Sequence, residues 1–458
     1  MAKKQRRKKS RAGKKKKSST PVIGIIVCFV LLFAVGGGWY FVKQYESKGV
    51  PAKSGGGGGG IVVKATGPGV KTGGLSKSSK LQSSTSSSGY ASLGIASKSA
   101  GFSPDDEFEA GEVLVANPPD RFAVSIGSMG FSVIERVHLT ELDISVLRLS
   151  LPAGMNVKQA RKTLRAKFPG LNIDANHYFE AQGVEDYQMS VPRALVKWRP
   201  GTPTCGGGIR IGMIDASVDV MHPALKGQRL EYRSFHKQGR RPGPADHGTA
   251  VAAILIGKPK WGGLLPGAEL IAANMFETTE SGRVVGNGMA LLKAINWMSQ
   301  KRVQVINMSV AGADNKIVRN ALNKARAKGL VMVAAAGNWG KKGNKPAFPA
   351  AYKDVLAITA FGTDKKIYAS ANLGKYIDFA APGVGIYTAV PGGGRIQSGT
   401  SFASPFVTVL LALQIERGGA KKSSAMREFL RKYVVDLGAK GKDETFGWGF
   451  VNLQPRCS

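Results

Sequence analysis

From about Val191 onward the chain alternates short apolar runs with amphipathic stretches, and few folds accept that pattern. The runs Ile209–Asp215, Glu269–Met275, Val303–Met308, Leu330–Ala336 and Val355–Ala360 are nearly continuous in apolar side chains. That is the signature of parallel strands buried on both faces. Between them, Met289–Lys301 and Asn315–Lys328 carry the helical spacing of apolar residues. Strands alternating with helices predict a doubly wound α/β parallel sheet, whose functional groups sit at the carboxyl ends of the strands. A chain of 458 residues, 43% apolar and 21% charged, can bury a core of that size, which excludes a wholly disordered or coiled-coil protein. Only three cysteines occur, Cys28, Cys205 and Cys457, so neither a disulfide-built scaffold nor a zinc spacing is present.

Strand ends and helix starts therefore carry the search for chemistry. Asp215 closes IGMID, His247 opens DHGTAVAAIL, Asn338 follows AAAG, and Ser401 opens a helix in SGTSFASP. Singly, each has an ordinary reading as a cap or a structural side chain. Together, a carboxylate, an imidazole and a hydroxyl are the parts of an acyl-transfer triad, and Asp…His…Ser is one of its known chain orders. A serine at a helix N-terminus also sits beside free N–H groups able to stabilise an oxyanion.

Residues 205–455 resemble the subtilisin-like serine peptidase family. IGMIDASVDVMHPAL resembles its Asp block, DHGTAVAAIL its His-Gly-Thr block, VINMSV and AAAGN its substrate-strand and oxyanion blocks, and SGTSFASPFV its Ser block. FPAAYKDVLAITA and FGWGFVN resemble its later segments. The resemblance implies Ser401 as nucleophile, His247 as general base and then acid, and Asp215 as the group that orients His247. It implies Asn338 as oxyanion donor with the Ser401 N–H, Ser309, Val310 and Ala311 as the substrate-pairing strand, and Ala335, Ala336 and Gly337 as walls of the pocket before the cut. The substrate is then a protein or peptide, with no cofactor. Three positions depart from the family pattern: Ala216-Ser217 after the Asp, Ala250 in the His helix, and Ala311 where glycine is common, which narrows the groove. IGKPKWGGLLPGAEL lacks the Asn-rich calcium loop and any carboxylate before Glu269, so no metal is expected there. Trp339 and Phe348 suggest an apolar pocket and a preference for aliphatic or aromatic residues before the cut. A catalytically silent peptide-binding protein using the same groove is the second class of function.

Ahead of this domain the sequence changes character. Residues 1–20 hold eleven Lys/Arg and no acid, and 22–42 are free of charge. That run makes about 31 Å of helix, close to the ~30 Å hydrocarbon core, with Trp39 and Tyr40 at its far end. We therefore expect a basic cytoplasmic tail (1–20) and a transmembrane anchor (21–43). The catalytic domain then lies on the periplasmic or extracellular side of the inner or plasma membrane. A cleaved signal, the rival reading, has a shorter apolar core of 7–15 residues. The net charge of +35 fits a polyanion binder, but a basic block beside an apolar span has a topological reason, and no specific nucleic acid is expected. Residues 44–104, rich in Gly, Ser and Lys, read as a disordered tether reaching about 40–45 Å.

Residues 105–190 show short structured elements in the order βαββαβ, a ferredoxin-like α+β unit. The unit resembles the inhibitory propeptide that precedes many peptidases of the family. This implies an intramolecular inhibitor whose tail, His177–Pro192, occupies the groove ahead of the peptidase domain (191–458). The rival is a permanent accessory domain. Cys205 and Cys457 flank the catalytic domain; they pair in an oxidising compartment or remain free on loops.

Overall fold

The computed structural model describes residues 62–65, 108–181, 192–198, 204–340 and 345–454. The basic tail, the apolar run 22–42, nearly all of the tether and residues 182–191 of the expected tail lie outside them. The described residues fall within one compact unit, Gly58–Ser458.

The tether contains one element. Strand β1 (Val62–Ala65) interrupts the Gly/Ser/Lys-rich stretch, so the expectation of unbroken coil over 44–104 is corrected there. A β-branched pair in a glycine-rich setting has strand propensity once an edge is offered.

The small region runs β2 (Phe108–Ala116), α1 (Phe122–Gly127), β3 (Ser132–Leu139), β4 (Ile144–Ser150), α2 (Val157–Lys167) and β5 (Asn172–Ala181). Its strands pair antiparallel in the order β3-β4-β2-β5. Period-two alternation sorts its two faces. Val113 and Val115 pack with Phe122, Ile126, Ala160 and Leu164 from the two helices, whereas Leu114 and Ala116 face the large domain. In α1 only Phe122 and Ile126, four apart, are buried; Val124 is 80% exposed. Asn156 opens α2 with a capping box to Gln159.

The large domain follows as α3 (Pro192–Leu195), β6 (Arg210–Asp215), β7 (Leu230–Ser234), β8 (Arg241–Pro242), α4 (Asp246–Ile256), β9 (Glu269–Asn274), β10 (Phe276–Thr278), β11 (Val284–Asn287) and α5 (Gly288–Gln300). It continues through β12 (Val305–Met308), β13 (Val310–Gly312), α6 (Lys316–Ala327), β14 (Val331–Ala335), β15 (Leu356–Phe361), β16 (Phe379–Pro382), β17 (Ile386–Val390) and β18 (Gly393–Gln397). Helices α7 (Thr400–Glu416) and α8 (Ser423–Arg431) and strands β19 (Val434–Val435) and β20 (Phe450–Val451) complete it. The main sheet has the order β1-β7-β9-β6-β12-β14-β15-β16-β20-β19, parallel from β7 to β20. β1 closes its far edge antiparallel to β7, with Val62 opposite Arg233.

Alternation along these strands makes two cores. Met213, Ala272, Val305, Val333 and Ile358 face α4 and α7; Ile214, Ala273, Ile306, Met332 and Ala357 face α5 and α6. Burial on both faces explains why the strands read as unbroken apolar runs. Cys205 is buried and disulfide-bonded; Cys28 and Cys457 both lie outside the described residues.

The small region lies on α5 and α6. Asn176 accepts from Met289 N (3.1 Å) and Asp174 from Lys316 N (3.1 Å), so each satisfies an orphan donor in the first turn of a helix. Asn315 returns its side-chain amide to Ala175 O and His177 Nδ1, both at 3.0 Å.

Candidate active site

Asp215 ends the central strand β6 and is fully buried. His247 lies in the first turn of α4, and its Nδ1 donates to Asp215 Oδ1 at 2.6 Å. The same oxygen accepts from Ala216 N at 2.6 Å. An imidazole held through Nδ1–H carries its acceptor lone pair on Nε2, the tautomer a general base needs. The neighbours of His247 make this approach possible. A Cβ on Gly248 would meet Ala216 O and Ser217 O at 2.4 Å, so only glycine lets α4 press against the turn after β6. Thr249 Oγ1 accepts from Asp219 N (2.8 Å) and ties that turn to the helix.

Ser401 is the second residue of α7, and no described residue uses its N–H, as expected in a helix's first turn. Its Oγ donates to Ser309 O at 3.4 Å. The ring of Phe402, the next residue, lies 5.3 Å from that of His247. Pro405, four residues on, has no N–H to offer the Ser401 carbonyl. Two hydroxyls take its place: Ser309 Oγ and Ser404 Oγ each donate to Ser401 O at 3.3 Å. Behind them, Asn307 Nδ2 donates to Ser309 Oγ (2.9 Å), and Thr408 Oγ1 lies 3.0 Å from both Asn307 Oδ1 and Ser404 O. Asn307, Ser309, Ser401, Ser404 and Thr408 are all fully buried, so this network fixes the backbone under the hydroxyl in one arrangement.

Asn338 follows β14. Its Oδ1 accepts from Thr400 N (3.2 Å) and Thr400 Oγ1 (2.9 Å), which commits the carbonyl end of the amide and leaves the NH2 end as its donor. Gly337 N donates to Thr400 Oγ1 (3.2 Å), so the Ala335–Gly337 wall is fastened to the start of α7. Gly337 has φ +105, and a Cβ there would meet Asn372 Nδ2 at 2.6 Å. Ala311, Trp339 and Ala347 form a small apolar cluster beside this wall. Phe348 packs instead on Tyr352, with ring centroids 4.7 Å apart.

The strand expected to pair with substrate is β13, and the chain's own β5 lies on it. Val310, Ala311 and Gly312 stand opposite Ala181, Glu180 and Phe179 in antiparallel register. On its other side β5 meets β11, Gly286 opposite Phe179 and Asn287 opposite Tyr178. One strand of the small region is thus inserted between two strands of the large one.

The Subtilase family model matches residues 206–449. The chain belongs to the subtilase family, the subtilisin-like serine peptidases. Minor extracellular protease Epr of Bacillus subtilis is 31% identical over 293 residues, 62% of this chain and 43% of that protein. Subtilisin DY of Bacillus licheniformis is 30% identical over 260 residues, 54% of this chain and 90% of that one. The chain therefore spans less than half the length of Epr. Among solved structures, fervidolysin from Fervidobacterium pennivorans, a keratinolytic enzyme related to subtilisin, has a similar fold. It aligns with a TM-score of 0.60 at 22% identity, covering 77% of this chain and 62% of that one.

Within this subtilase the structure joins the expected residues pairwise, Asp215 with His247 and Ser309 with Ser401. It sets the residues on either side of Ser401, Thr400 and Phe402, against Asn338 and the His247 ring respectively. Sequence reasoning missed Asn307, Ser404 and Thr408. Pro405 was the available signal, because a proline inside a helix leaves the carbonyl four residues back in need of another donor.

Proposed function

We propose that this subtilase is a membrane-tethered serine endopeptidase that cuts its own chain. Ser401 Oγ attacks the carbonyl carbon before the cut while His247 Nε2 takes its proton. Asp215 holds the imidazole in the required tautomer and stabilises the imidazolium. The oxyanion receives the Ser401 N–H and the Asn338 NH2. His247 returns the proton to the leaving amine, and water repeats the sequence on the acyl-enzyme.

The observation that carries this reading is the seat of β5 between β11 and β13. An extended segment in antiparallel register on a substrate strand is β-augmentation, the same pairing a peptide substrate would make. The small region then acts as an intramolecular inhibitor. The described register ends at Val310 opposite Ala181, and we propose that in the reacting chain the next residue takes the place beside Ser309, whose carbonyl receives the Ser401 hydroxyl. The cut is therefore predicted after Gln182. The apolar run 22–42, as a membrane anchor, lies N-terminal to it, so one cut severs the covalent link and yields a product of about 29 kDa.

Blotting membrane and soluble fractions with a C-terminal tag, with N-terminal sequencing of the short form, tests the proposal. We expect a product beginning at Gly183 from the active chain and only full-length protein from Ser401→Ala. A serine-directed fluorophosphonate should label Ser401 in the first and nothing in the second. Equal processing of both chains, or no labelling, would reject it.

A further inference from the structure

Away from the catalytic residues, Lys353, Lys375, Arg427, Arg431 and Lys442 line one cavity of about 370 Å³ where α8 meets the turns at 350–353 and 375–378. Only two carboxylates, Asp378 and Glu428, share it. Asp378, 4% exposed, is already saturated: Arg427 Nε and Nη2 each donate to it at 2.9 Å, Ala357 N at 3.1 Å, and Lys442 Nζ stands 3.8 Å away. Arg427 Nη2 also reaches Val355 O at 2.6 Å. Arg431 donates to Glu428 (2.9 Å) and lies 3.9 Å over the ring of Trp448. Among the described residues no carboxylate pairs with Lys353 or Lys375.

Three cationic charges thus remain uncompensated around one concavity, and two of its guanidiniums are already held in place. Like charges this close repel, and an entering anion relieves that repulsion without having to order the arginines. Guanidinium N–H groups not spent on Asp378 or Glu428, with three ammonium groups, match the oxygens of a phosphate better than a lone carboxylate. Trp448 adds an apolar wall, and the space exceeds that of a bare ion. We propose that this cavity binds a phosphate group carried on an organic ester. The same cavity is lined by Tyr376, whose hydroxyl donates to Ala336 O at 2.6 Å, so it backs onto the wall expected beside the scissile residue. The proposal does not depend on the peptidase reading.

The test uses the full chain carrying Ser401→Ala, which remains whole. Its melting temperature is followed with glycerol phosphate, and separately with phosphatidylglycerol vesicles against phosphatidylcholine vesicles. A ligand that binds only the folded state raises Tm saturably. We expect such a rise in the parent and its loss in Lys353→Gln/Lys375→Gln, with the ligand-free Tm of the two proteins alike. A rise with glycerol phosphate identifies a free ester; a lysine-dependent rise with vesicles alone identifies a lipid headgroup. The basic segment 1–20 is common to both proteins and cancels in this comparison. Glu428→Gln, which removes one exposed negative charge, should tighten binding about threefold. Equal shifts in parent and double variant, no shift with either phosphate source, or weaker binding in Glu428→Gln would overturn the proposal.

Discussion

Thr408 sits two helical turns from Ser401, yet it lies within hydrogen-bond reach of Asn307, which in turn positions Ser309 against the Ser401 carbonyl. Replacing it by valine keeps the shape and removes the donor, leaving Asn307 Oδ1 short of a partner in a fully buried site. An unpaired buried acceptor costs about 1–3 kcal/mol. We predict that Thr408→Val lowers kcat about tenfold with KM nearly unchanged, and that Thr408→Ser restores it. A matching loss in both variants would mean that the network only supports packing. Asn338 differs because the proposed mechanism uses its NH2 end in the transition state. Asn338→Ala should lower kcat by about 10²–10³ with a small change in KM, as measured with a peptide substrate.

At the level of elements, the contact between β5 and β13 depends on a missing side chain. A Cβ on Gly312 would meet Phe179 Cδ1 at 2.6 Å and Tyr178 O at 2.7 Å, and one of these is backbone that cannot swing aside. Overpacking of this kind costs about 1–3 kcal/mol. Gly312→Ala should therefore slow self-processing by about tenfold or more in a time course of the full chain. Retained fluorophosphonate labelling of Ser401 would show that the fold survived. Processing at the parent rate would mean that β5 does not need this seat to be cut.

At the scale of the molecule, the two regions meet through opposite charges as well as apolar faces. Glu109 pairs with Arg240 (2.7 Å), Glu112 with Lys237 (2.8 Å), Glu135 with Lys293, and Glu141 with Lys328 (3.2 Å). Burial pushes the Glu109 carboxyl up, but the hydrogen bond and charge of Arg240, with Lys237, outweigh it and hold the pKa below 4.5. Glu135 behaves in the same way, burial being outweighed by Lys293 and Arg148. A carboxylate whose pKa is lowered in the docked state stabilises that state fully above its ordinary value. The contribution is lost as pH falls through the lowered one. After cleavage the small region should thus co-elute with the catalytic domain at pH 7 and separate increasingly below about pH 4.5. Salt should favour separation, since exposed pairs are screened. Co-elution unchanged from pH 7 to pH 3.5 would show that apolar packing alone holds the two together.

Sequence by itself determined the repeating units of this subtilase. Strands buried on both faces must be apolar throughout, and helices must carry a stripe, so β6, β9, β12, β14 and β15 were legible to within two residues at either end. It also marked Asp215, His247, Asn338 and Ser401, because chemistry at strand ends requires particular residue types in unusual company. It did not disclose which polar residues share one buried network. Thr408 and Asn307 lie about a hundred residues apart, and each alone reads as an ordinary core or helix position. Nor did it disclose that Val62–Ala65 finds an edge on β7. It left open that Asp174 and Asn176 complete the first turns of α6 and α5. Hydrogen bonds between distant segments have no period along the chain, so only the folded arrangement of the strands could decide them.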